Sequence, residues 1–196
     1  MHLKNTDDAY GSIAKWFHWL TATLFLASYC AIYYRNWFAE SDFEKWTAIQ
    51  LHLSIGVTLG VTAILRIIWR FFNHAPKPEP GTRVQHLAAQ LGHYALYAIM
   101  IIMPLTGFLS IAGYLSSGRG SIAYFFLFDI TSFRDIQIFD AVGVSLEQLE
   151  KPAELIHNSL GAWVVWLLIA GHISAALYHH FIKRDRTLCK MIFCRR

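Results

Sequence analysis

Charge is what this sequence has least of. Lys, Arg, Asp and Glu make up 15 % of its 196 residues, against about 25 % in a typical soluble domain. The shortage is concentrated. No charged side chain occurs between Tyr94 and Ser117, and none but histidine between Leu155 and Ile182. Uncharged runs of ~18 or more residues match the ~30 Å hydrocarbon layer, which ~20 helical residues cross. A water-soluble helical bundle is excluded, because nothing amphipathic is left to face water. Cysteine is also scarce. Cys30, Cys189 and Cys194 are odd in number and unpaired in spacing, which excludes a disulfide framework and a zinc site. Three of the five prolines alternate in Pro76-Lys-Pro78-Glu-Pro80, a stiff extended connector. There is no full-length repeat and no low-complexity tract, and no nucleic-acid partner is expected.

What is present is a set of four apolar segments, at roughly 15–34, 46–72, 87–114 and 154–182. In lipid the backbone must satisfy its own hydrogen bonds, so these are helices. The expected fold is all-α: one domain, 1–196, forming an integral membrane four-helix bundle. The first segment is too long for the apolar region of a cleaved signal and is kept as structure. Four spans put both termini on one side. That side carries twelve of the seventeen Lys and Arg residues and the other side five, so both termini are expected in the cytoplasm. The acids run the other way, four inside and nine outside. The outer connection, 115–151, is long for a bundle. Its aromatic run, Tyr124 to Phe128, is expected to lie along the membrane interface. Trp16, Trp19, Trp37, Trp46, Trp69 and the Tyr33-Tyr34 pair read as an aromatic belt.

Ten histidines stand against this apolar background, and ionisable groups within spans are costly and usually functional. Four are distinguished by depth: His18 at the inner end of the first span, His52 at the outer end of the second, and His157 and His172 at the outer and inner ends of the fourth. His157 and His172 are 15 residues apart in sequence, hence ~22 Å along a helix and ~60° from eclipsed. Depth then pairs His18 with His172 and His52 with His157. Two imidazoles from different helices at each of two depths suit axial ligation of two haem irons. A zinc or copper site would need three or four converging ligands. A proton relay would need acids that the spans lack.

Gly56 and Gly161 each follow a paired histidine by four residues, on the same face one turn deeper, where a missing side chain admits a flat macrocycle. Small-residue helix packing is the alternative. Arg66, 14 residues after His52, lies ~40° from that face at the inner end and could pair with a haem propionate or snorkel to the interface. His93 lies on the third span near the inner pair.

Ser12-Ile-Ala-Lys-Trp-Phe-His-Trp-Leu, Leu51-His-Leu-Ser-Ile-Gly, Leu91-Gly-His, Met103-Pro-Leu-Thr-Gly, His157-Asn-Ser-Leu and Gly171-His-Ile-Ser-Ala-Ala-Leu-Tyr-His-His-Phe-Ile-Lys-Arg-Asp resemble the bacterial cytochrome b561 family over nearly the whole chain. The resemblance implies an inner-membrane electron-transfer protein with two haems b on the four histidines and exchange with ubiquinone near the inner haem. One type of member oxidises superoxide on the outer side. Others are cytochrome subunits of a partner dehydrogenase or hydrogenase. Quinone reduction also takes protons, and histidine is the group that carries them near neutral pH. His179, seven residues past His172, is the candidate, with Lys15 and Trp16 as pocket walls. The alternative is that His179 and His180 only cap the helix end.

Overall fold

The computed structural model describes residues 2–111, Leu115, 120–131, Gly143 and 146–192. Its helices are α1 (Ser12–Trp37), α2 (Asp42–Phe72), α3 (Arg83–Leu109), α4 (Leu146–Ser159), α5 (Val165–Leu177) and the short α6 (Thr187–Met191). α4 and α5 are joined by a π-helical turn, Leu160–Val164, and a second one, Tyr178–Lys183, follows α5. Among the described residues, three stretches are long and apolar enough to cross a membrane: Asp42–Phe72, Arg83–Leu109 and Gln148–Lys183. α1, at 26 residues, has the length, about 39 Å at ~1.5 Å per residue. Its Trp, Tyr, Thr, Ser and His side chains dilute its apolarity, so of the four spans expected from sequence the first is a long helix of mixed character and the other three are apolar.

The helix starts are written in local chemistry. Ser41 and Glu44 form a capping box at α2, with Glu44 N donating to Ser41 Oγ and Ser41 N to a Glu44 carboxylate oxygen. Thr82 and Gln85 do the same at α3. Each box satisfies two backbone donors that a helix start otherwise leaves orphaned. This is why α2 and α3 begin four residues before the segments at 46 and 87 that hydropathy marks. α3 ends at Leu109; residues 112–114 of the expected third span lie outside the described residues.

α1 packs on α2, α2 on α3, and α3 on α4 and α5. α2 is central: among the described residues it supplies the buried apolar side chains Ala48, Ile55, Leu59 and Ala63, and α3 supplies Ile99 and Met100. Large apolar groups such as Phe71, Phe72, Trp163 and Leu167 face outward, as lipid contact requires. The fourth long helix returns to α1 through side chains. Tyr29 Oη donates to Gly161 O at 2.7 Å and Trp166 Nε1 to Tyr33 Oη at 2.8 Å. The Gly161 carbonyl belongs to the π turn, where Val165 N reaches back five residues to Leu160 O and the regular ladder is interrupted.

The N-terminal segment, the proline connector and α6 are stapled together at one end of the bundle. Asn5 Nδ2 donates to His74 O, Lys77 N to Asp7 O, Lys190 Nζ to Lys77 O and Lys15 Nζ to Ile192 O, and Lys190 pairs with Glu79. Asp7 carries an exposed ion pair with Lys77 at 2.8 Å, and the hydrogen bond from Lys77 holds its carboxyl below the usual range. Both chain ends therefore lie at the same end.

The fold is not purely α-helical. Residues 122–130 form an antiparallel hairpin, β1 (Ile122–Tyr124) with β2 (Phe128–Ile130), in register Ile122 with Ile130 and Tyr124 with Phe128. The aromatic run Tyr124 to Phe128 forms the turn of this hairpin and the strand residues that flank it. The cause lies in α2, which aligns three polar side chains at i, i+4 and i+8. Ala123 N donates to Gln50 Oε1 at 2.8 Å, Phe125 N to Ser54 Oγ at 3.0 Å, and Thr58 meets the Tyr124 hydroxyl at 2.9 Å. A period-2 pattern this short is invisible beside the aromatic composition, and the partners are 70 residues away in sequence.

Ser54 is fully buried and also donates to Gln50 O at 2.7 Å. Ser54→Ala leaves the part-buried Phe125 N without this acceptor, which costs about 1 kcal/mol. The expected outcome is a lower thermal midpoint in detergent and earlier proteolysis within 120–131. An unchanged melt and digest would show that the hairpin does not depend on α2.

Candidate functional site

The four histidines singled out by depth meet in two pairs. At the end away from the chain termini, the rings of His52 and His157 have centres 6.1 Å apart. At the terminal end, His18 and His172 are also 6.1 Å apart. A metal–imidazole bond is about 2.0–2.1 Å and the ring centre lies roughly 1.1 Å behind the nitrogen, so two rings on opposite sides of one ion have centres about 6.2 Å apart. Among the described residues no group of three or more His, Cys, Asp or Glu converges as a metal site. Paired axial ligation fits this donor set; a multidentate zinc or copper cage does not.

The π turn between His157 and His172 bears on this alignment. An inserted residue leaves the helix with an effective count of about 14 residues between them, ~1400° or ~40° short of four turns, instead of ~60° past. The two rings stay on one face of the fourth helix.

Each distal imidazole is oriented by a backbone carbonyl. His52 Nδ1 lies 3.1 Å from Ser28 O and 3.0 Å from Ser28 Oγ. His157 Nδ1 lies 3.1 Å from Met103 O and 3.3 Å from Thr106 Oγ1. A carbonyl can only accept, so Nδ1 carries the proton and Nε2 is left with its lone pair. This is the arrangement that fixes a metal-ligating histidine. The His157 ring lies against Gly107, where a Cβ would stand 2.8 Å from His157 Cε1. Met103, Thr106 and Gly107 thus give a physical meaning to the Met103-Pro-Leu-Thr-Gly motif: the carbonyl, hydroxyl and bare backbone of one helical turn seat a single imidazole. The residue types alone did not point to that role, because the carbonyl that matters belongs to a methionine.

The terminal-end pair has different neighbours. Arg66 places a guanidinium nitrogen 3.3 Å from His18 Nδ1 and stacks over Tyr97 at 5.5 Å. His93 of α3 brings its ring within 5.8 Å of His172. The glycines differ from each other. A Cβ at Gly56 would meet nothing within 4 Å, whereas one at Gly161 would meet Met103 Cε at 3.3 Å and Tyr29 Oη at 3.8 Å. Gly56 faces open space, while Gly161 is already covered.

His179 is bonded through Nδ1 to Asp185, and Asp185 also accepts from Thr187 N at 2.9 Å. Arg184, in the left-handed region at φ 55°, turns the chain so that Asp185 folds back under the helix end. Partial burial pushes the Asp185 carboxyl up, but the hydrogen bonds from His179 and Thr187 prevail and hold it below its usual range. Lys15 Nζ donates to Ile192 O at 2.8 Å and Trp16 is exposed. Asp185 is a functional candidate that histidine counting missed, although it closes the Lys183-Arg184-Asp185 end of the last motif.

Two imidazole pairs, one toward each end of a membrane-spanning bundle, point to a cytochrome, and a family model described as prokaryotic cytochrome b561 matches residues 9–193. The chain belongs to that family. It is 32 % identical to cytochrome b561 homolog 2 of Escherichia coli (strain K12), over 98 % of this chain and 95 % of that one. It is 27 % identical to cytochrome b561 homolog 1 of the same organism, over 89 % and 92 %. A Yersinia pestis protein described as probable superoxide oxidase CybB is 25 % identical over 93 % and 95 %. Membership makes this a multi-pass membrane protein of electron transport that carries b-type haem.

The Gly107 contact is directly testable. Gly107→Ala drives a methyl into the His157 ring and is expected to shift or remove part of the haem absorbance of the purified protein. Gly92→Ala, where a Cβ meets nothing within 4 Å, is expected to leave it intact. Equal spectra for both would show that His157 does not need the bare face of α3.

Proposed function

We propose that this chain holds two haems b, one between His52 and His157 and one between His18 and His172. It passes single electrons from a donor outside the bacterial inner membrane to ubiquinone near the inner pair. The observation that supports the reading is the equal 6.1 Å ring separation in both pairs. The termini lie in the cytoplasm by the positive-inside bias, so His18 and His172 form the inner pair. The haems supply reversible one-electron chemistry at two depths ~22 Å apart.

The chain's own residues do the rest. Ser28 and Met103 hold the outer imidazoles in the ligating tautomer. Gly56 leaves room beside His52 for a flat ring system, and Gly161 carries the carbonyl that ties the fourth helix to Tyr29 next to that space. Arg66 is a donor only, and once His18 ligates through Nε2 its Nδ1 must also be a donor. The guanidinium then needs another acceptor, which a haem propionate provides. His179, held by Asp185, presents its other nitrogen at the membrane edge and delivers protons. Two electrons and two protons convert a quinone to a quinol.

Superoxide is the named donor candidate, by likeness to the Yersinia pestis relative. The outer side carries nine acids and five bases, which repels an anion. That balance favours the second reading, a cytochrome subunit that receives electrons from a partner dehydrogenase or hydrogenase. Mixing the purified protein with superoxide and a soluble ubiquinone analogue separates them. Fast haem reduction followed by quinone reduction supports the first, and no haem reduction supports the second.

His179→Ala is expected to keep the haem spectra and to slow reoxidation of the pre-reduced protein by quinone at least several-fold, by the 10²–10⁴ scale of lost general acid–base catalysis. Stopped-flow absorbance reads this. An unchanged rate across quinone concentrations removes His179 from the quinone site.

A further inference from the structure

The two histidine pairs are alike in ring separation and opposite in what surrounds them. At His52 and His157 each Nδ1 faces a carbonyl oxygen, Ser28 O at 3.1 Å and Met103 O at 3.1 Å. At His18 the Nδ1 faces a guanidinium nitrogen of Arg66 at 3.3 Å, and among the described residues no hydrogen-bond acceptor is seen on the His172 ring. We propose that these neighbours set the two haem positions at different potentials, the outer one lower and the inner one higher, so that electrons run from the outer pair to the inner pair. The inference rests on the two-haem reading above and adds which residues set the two potentials apart.

A histidine that donates Nδ1–H to a carbonyl is a more basic ligand, which pushes electron density to the iron and stabilises its oxidised form. Both outer ligands are of this kind. A fixed cation near an iron stabilises the form with the extra electron, and in a low-dielectric span that attraction is weakly screened. Arg66 is such a cation beside the inner pair, part-buried and stacked on Tyr97. The charge that opposes it on the other side is Arg35, at the end of α1, which is exposed and therefore screened by water and salt. When one electron moves, the iron at the outer pair is oxidised and the iron at the inner pair is reduced, with no bond made or broken.

The test is a spectroelectrochemical titration of the purified, haem-loaded protein, which requires no donor or quinone. The wild type is expected to titrate as two components. His52→Ala removes the outer haem, and the surviving component is expected to be the higher of the two. Arg66→Gln is expected to shift that higher component downward and leave the lower one in place, and Arg66→Lys is expected to restore most of the shift, which a role in packing alone would not. Survival of the lower component in His52→Ala overturns the proposal, as does an Arg66→Gln titration identical to wild type. A wild type with a single haem overturns the two-haem reading itself, and is distinguished from both by pigment content.

Discussion

The hydrogen bond from a histidine Nδ1 to a backbone carbonyl is the interaction on which the distal half of this structure depends. A neutral imidazole has one proton to place, and the carbonyls of Ser28 and Met103 decide where it goes. They can do so only because α1 and α3 run close enough to His52 and His157, and the rest of the bundle serves that approach. Gly107 removes the side chain that would block it, Thr106 adds a hydroxyl beside it, and the central position of α2 fixes His52 against α1. Leaving a buried polar group unpaired costs about 1–3 kcal/mol, so the same bonds that orient the rings also hold the helices in register.

Lipid shapes the remainder. With apolar tails outside, burying apolar surface gives helices little reason to associate, and the described core is correspondingly thin. Polar contacts carry the association instead. Tyr29 reaches the π turn at Gly161, Trp166 reaches Tyr33, and Gln50, Ser54 and Thr58 hold the hairpin. The fourth helix departs from regular winding at a point between its two paired histidines, which keeps them on one face. At the other end, ion pairs and hydrogen bonds to backbone carbonyls tie the N-terminal segment, the proline connector and α6 together.

Much of this was legible in the sequence, for identifiable reasons. Apolar runs located the helices because lipid forces the backbone to bond to itself, and depth along each run paired the histidines before any coordinate did. Arg66 could be placed near the inner pair from helical phase alone. What was not legible depended on backbone atoms or on contacts far apart in sequence. The Ser28 and Met103 carbonyls have no residue-type signature. The π turn has none either, and Gly161, which looked equivalent to Gly56 by spacing, is covered by Met103. The hairpin was hidden because Phe125 and Phe126 adopt positive φ, a conformation that sequence rules reserve for glycine and asparagine. Asp185 was hidden because its link to His179 requires the left-handed turn at Arg184.

The central claim is that two independent imidazole pairs each hold one haem. The most direct measurement is haem per chain, by pyridine haemochrome on purified protein, for the wild type and for single alanine variants of His18, His52, His157 and His172. The account predicts two for the wild type and one for every variant, with His52→Ala and His157→Ala sharing one residual spectrum and His18→Ala and His172→Ala sharing the other. One haem in the wild type would contradict it. So would His18→Ala retaining two while His93→Ala loses one, since His93 also stands within 5.8 Å of His172.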